Sequence, residues 1–123
     1  MLRQLIIASA LLAVSACYPT LTAPDAERIE ANVAHADRVA AGLRVAETRC
    51  ASCHAVTPGQ ISPNTDAPPF ASIARRPGLT DATAYRWLRS SHNFPDQMNF
   101  ILEPGQAEDL AAYLLTLRDP HSD

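Results

Sequence analysis

Cys50-Ala51-Ser52-Cys53-His54 sets the terms on which this 123-residue chain can fold. Two thiols three residues apart, with a histidine directly after the second, form the C-x-x-C-H pattern of covalent haem attachment. The spacing has a physical reason. In a turn that leads into a helix, two cysteines at this separation reach the two vinyl groups of one porphyrin. The adjacent imidazole is then carried onto the iron from the same side. A chain of this length predicts one domain, since roughly 100–150 residues is the usual size. So short a chain has a small core, and an enclosed haem supplies apolar surface that it lacks. Hydrophobic residues make up 47% of the sequence, the composition of a globular protein rather than a disordered one.

The N-terminus is patterned for export. Arg3 precedes a ten-residue apolar run, Leu5 to Val14, interrupted by one serine. That run falls short of the ~20 residues a bilayer span needs and suits the core of a signal peptide. Val14-Ser15-Ala16-Cys17 then resembles the lipobox of bacterial lipoproteins, in which the cysteine becomes the lipid-bearing first residue of the mature chain. Plain cleavage after Ala16 is the rival reading, and it leaves a lone reactive thiol in an oxidising compartment. The expectation is a signal peptide over 1–16, a lipid anchor at Cys17, and an exported, membrane-tethered domain. The cysteines are then used up: one for lipid, two for haem. Loss of Arg3 leaves a formal charge of −4, which argues against nucleic acid as a partner.

Beyond the anchor, residues 17–36 read as a linker and helix extension, 37–119 as the haem domain and 120–123 as a tail. Tyr18 to Pro24 carries two prolines and two threonines. From Asp25 to about Arg49 the chain has helical periodicity, with Ile29, Val33, Ala36, Ala40, Leu43 and Ala46 as the inward stripe. Thr22 and Asp25 have capping-box spacing. Gly42 interrupts this helix at a cost of ~1 kcal/mol relative to alanine, which implies a close contact there. Four prolines between Ala55 and Pro69 mark a loop. A short helix within Pro69–Arg76 turns Phe70 and Ile73 inward. Thr80 caps a helix with Ala84, Trp87 and Leu88 on one stripe, and His92 to Glu103 is a second loop. A last helix from Pro104 to about Leu117 buries Ala107, Leu110, Ala111, Leu114 and Leu117. No stretch alternates long enough to be a strand, so the fold is all-α.

Taken together, these parts resemble a small class I cytochrome c. The resemblance implies a class I fold in which the N- and C-terminal helices cross and haem sits in a loop-lined crevice. Gly42 stands eight residues before Cys50, where the family has a glycine that lets the C-terminal helix cross closely, and Tyr113 matches the aromatic that packs there. His54 is the implied proximal ligand. Pro68-Pro69-Phe70 resembles the family's loop in which a proline carbonyl accepts the ligand's other ring N–H, so Pro68, or else Pro69, is the acceptor and Phe70 packs on the haem. Met98 is the implied sixth ligand. It is the sole methionine besides Met1, and Pro95-Asp96-Gln97-Met98-Asn99-Phe100 resembles the family's ligand loop. Phe100 then contacts the haem, and Trp87 either donates to a propionate or is a plain core residue. Arg75 and Arg76 read as solvated surface arginines, with a propionate pair as the alternative.

The resemblance therefore implies an electron carrier rather than an enzyme. It would be a monomer with one haem c, meeting redox partner proteins transiently through an exposed haem edge. The main alternative within haem chemistry is a sensor or ligand-binding cytochrome with an open sixth site, or a bis-histidine centre using His92. Helical bundles of that kind carry the motif near the C-terminus, whereas 69 residues follow His54 here. A redox dithiol needs a preceding strand, and a zinc site needs a fourth ligand such as His92. Neither fits as well.

Overall fold

The computed structural model describes residues 22–90, 98 and 100–118. The expected signal peptide over 1–16, Cys17, His92, Pro95 and the expected tail lie outside the described residues. Four helices follow in order: α1 Ala23–Arg49, α2 Phe70–Ala74, α3 Asp81–Ser90 and α4 Pro104–Thr116. Among the described residues there is no strand, and no helix is long and apolar enough to cross a membrane.

The chain divides into two compact units at Glu30–Ala31. In the first, Thr22 opens α1: its backbone N–H and its hydroxyl both donate to the Asp25 carboxylate. The second unit holds the described residues from Ala31 onward. There the inward face of α1 starts later than the periodicity predicts. Val33 is 55% exposed and Ala36 and Ala40 are exposed, whereas Gly42 and Ala46 are buried and Val39 and Leu43 pack on the core. The packed positions step by three or four residues from Val39 to Cys50, as one helical face requires. Gly42 and Ala46 are small, whereas the apolar Ile29 and Val33 are exposed, so hydrophobicity alone starts the face too early.

The remaining helices are set by local capping. Thr80 and Thr83 cap α3 reciprocally: the Thr83 N–H donates to the Thr80 hydroxyl at 3.2 Å, and the Thr80 N–H donates to Thr83 Oγ1 at 2.7 Å. Pro104 occupies the first turn of α4, where its missing N–H has no helical partner to lose. The Gln106 side chain accepts the Glu103 N–H at 3.1 Å just ahead of it. From α4, Ala107, Leu110, Ala111 and Leu114 enter the core together with Phe70 and Ile73 of α2 and Ala84 and Leu88 of α3. Leu110 and Leu114 are fully buried, each contributing about 1.5–3 kcal/mol of transfer free energy. α4 crosses α1 at Gly42. A methyl group built there would lie 2.7 Å from Tyr113 Cβ and against the Asp109 carbonyl.

Candidate functional site

The site begins where α1 ends. Cys50 N–H donates to the Ala46 carbonyl at 2.9 Å, Cys53 N–H to the Cys50 carbonyl at 3.1 Å and His54 N–H to the same carbonyl at 2.9 Å. The pattern continues helical bonding for one more turn, so His54 follows Cys50 at the four-residue spacing that aligns side chains on one face. Cys50 is buried and Cys53 partly so, and no disulfide joins them. Burial pushes the Cys50 thiol up to about 11, the Arg49 guanidinium next to it pulling down less and Cys53 adding a smaller push upward.

His54 is buried among these groups. Its Nδ1 lies 2.8 Å from the Pro68 carbonyl oxygen. A carbonyl only accepts, so Nδ1 carries the ring proton and Nε2 keeps its lone pair for a metal. The loop that brings Pro68 to this place is itself tied down. The Ser62 hydroxyl accepts the Ala55 N–H at 3.0 Å, Asn64 N–H donates to the Cys53 carbonyl at 3.1 Å, and Phe70 N–H donates to the Ala55 carbonyl at 2.9 Å. The last bond sets Phe70 beside the imidazole, with ring centroids 5.6 Å apart and planes tilted by 56°.

Cys50, Cys53 and His54 line one cleft together. Phe70, Trp87, Met98 and Phe100 line it as well. Thus every haem-contacting residue expected from the sequence reaches one cleft, with Pro68 behind the imidazole. Cys17 and the rival ligand His92 lie outside the described residues. Ile73, Leu88, Leu110 and Leu114, read from the sequence only as core, form the apolar wall, and Arg49 and Ser52 add polar groups. The stripes of α2, α3 and α4 were each legible, but not that they converge on one cavity.

Three more polar side chains have carbonyl partners that left no sequence signal. The Tyr113 hydroxyl donates to the Val56 carbonyl at 2.7 Å. The Arg118 guanidinium donates to the Ala74 carbonyl at 3.3 Å and to that of Leu79. Arg89 Nη1 donates to the Leu102 carbonyl at 2.7 Å.

The chemistry of this donor set fits a covalently held haem. Two sulfurs sit at the end of a helix, an imidazole has its tautomer fixed by a backbone carbonyl, and an apolar cleft carries a thioether on its lining.

Comparison with known proteins agrees. The model of the cytochrome c family matches residues 39–118. Cytochrome c-552 of Bradyrhizobium diazoefficiens is 40% identical over 77 residues, which is 63% of this chain and 72% of that protein. No solved structure matches the chain.

Proposed function

We propose that this chain, which belongs to the cytochrome c family, is a His/Met-ligated electron carrier tethered to the bacterial envelope. Membership brings a covalently bound haem c and exchange of electrons with redox partner proteins. The finer reading assigns the parts. Cys50 and Cys53 would hold the haem through thioether bonds, His54 would bind the iron through Nε2, and Met98 would supply the sixth ligand. The observation that carries it is the His54 Nδ1 to Pro68 carbonyl bond on a cleft also lined by Met98.

When bound, the haem supplies a one-electron ferric/ferrous couple. The chain's own residues do the rest. The Pro68 carbonyl holds the imidazole in one tautomer and one orientation, which keeps its ligand nitrogen aimed into the cleft. Phe70, Ile73, Leu88, Leu110 and Leu114 exclude water, so little solvent has to rearrange when charge changes. A thioether opposite an imidazole raises the potential relative to a second histidine. Partner docking is transient and of small area. Cys17 carries the lipid, and residues 17–36 link it to the haem domain, which spans 37–119.

Mass spectrometry tests the attachment. The denatured holoprotein is expected to retain one haem, Cys50→Ala and Cys53→Ala each to retain it through a single thioether, and the double variant to lose it. Haem released from the denatured wild type overturns the assignment.

A further inference from the structure

The segment between α3 and α4 carries Met98, and a side chain from outside it holds its far end. Arg89, in the last turn of α3, donates to the Leu102 carbonyl at 2.7 Å across 13 residues of chain. Leu102 is 3% exposed and belongs to the core. Phe100, two residues before it, lines the cleft, and its N–H donates to the Met98 carbonyl at 2.8 Å. The ties therefore run in sequence from Arg89 to Leu102, and through Phe100 to Met98.

We propose that Arg89 is a positioning residue that keeps Met98 in the cleft and limits access of outside ligands to the sixth position. The proposal rests on reading Met98 as that ligand. A guanidinium donor makes a stronger hydrogen bond than a neutral one. It forms only when Leu102 lies against α3, so it stabilises the arrangement in which Phe100 and Met98 line the cleft and not one with Met98 displaced. A cation at a helix C-terminus is ordinarily explained by the helix dipole. That role does not call for a bond to a carbonyl 13 residues on, and it has no bearing on ligand exchange.

Imidazole titration of the ferric holoprotein tests the idea. The imidazole nitrogen bonds to iron as the Met98 sulfur leaves, with no change of oxidation state. Arg89→Gln is expected to bind imidazole about fivefold more tightly than wild type, the factor expected from loss of one hydrogen bond from the closed state. It keeps the long-wavelength thioether–iron band when imidazole is absent. Arg89→Lys, which retains one charged donor, is expected to fall between the two and serves if the glutamine variant folds poorly. Arg118→Gln is the control for general loosening, because its carbonyl partners lie at Ala74 and Leu79.

Unchanged imidazole affinity in the Arg89 variants overturns the proposal, and so does an equal gain in Arg118→Gln. A wild-type protein without the thioether band overturns the Met98 reading itself, and the clamp with it. A wild type with the band and indifferent Arg89 variants overturns the clamp alone.

Discussion

Gly42 and Tyr113 are packed so closely that no side chain fits at position 42: an added Cβ would stand 2.7 Å from Tyr113 Cβ and 2.6 Å from the Asp109 carbonyl carbon. Here the last helix crosses the first, eight residues before Cys50.

Gly42→Ala tests this crossing. In an exposed helix the change would gain ~1 kcal/mol of propensity. Here the neighbours are backbone and a Cβ, which have little freedom to move, and overpacking costs about 1–3 kcal/mol. The expected result is net destabilisation, seen as a lower urea midpoint with the slope unchanged. A stabilised variant would contradict the close crossing.

Tyr113 gives the fold an alkaline limit. Its hydroxyl donates to the buried Val56 carbonyl, and burial raises its pKa above the ordinary value of 10.0, with Glu47 pushing the same way. A pKa raised by folding favours the neutral phenol in the native state. Its contribution is therefore complete below about pH 10 and is lost as pH rises through the folded value. Tyr113→Phe should cost about 1–3 kcal/mol at neutral pH by orphaning the Val56 carbonyl. It should also show a shallower loss of stability above pH 10 than wild type. Cys50, held as a thioether in the holoprotein, does not titrate and does not blur the comparison.

Much of this was legible in advance because each feature is local. The motif is five consecutive residues, the Thr80 cap is read within four, and Gly42 is flagged by standing in mid-helix eight residues before Cys50. The inward stripe of α1 held at Leu43 and Ala46 and was misread ahead of them, because Val33 is apolar yet 55% exposed and Ala36 and Ala40 are exposed too. The Arg89 and Arg118 clamps bind backbone carbonyls 13 and 39–44 residues away. A carbonyl belongs to every residue, so such bonds leave no mark on a sequence.

Phe70 should matter more for its ring than for its volume. It is 5% exposed and stands tilted against His54. Phe70→Leu keeps an apolar group there and forfeits the aromatic contact, at about 1 kcal/mol. Chemical denaturation of the holoprotein measures this. A cost near zero would mean that the ring contact contributes nothing.

Anchoring is tested at Cys17. The full chain, expressed in a bacterium that processes lipoproteins, should fractionate with membranes and yield an N-terminal peptide whose cysteine bears lipid. Cys17→Ala should move the protein into the soluble exported fraction. An unmodified Cys17 in the membrane-free fraction of the wild type would contradict a lipid tether.

The ferric optical spectrum of the holoprotein bears most directly on the His54/Met98 assignment. Wild type is expected to be low-spin with the weak long-wavelength band of thioether ligation. Met98→Ala should lose the band, and His92→Ala should keep it. A Met98→Ala protein with an unaltered spectrum, alongside a His92→Ala protein that has lost low-spin character, would contradict the assignment.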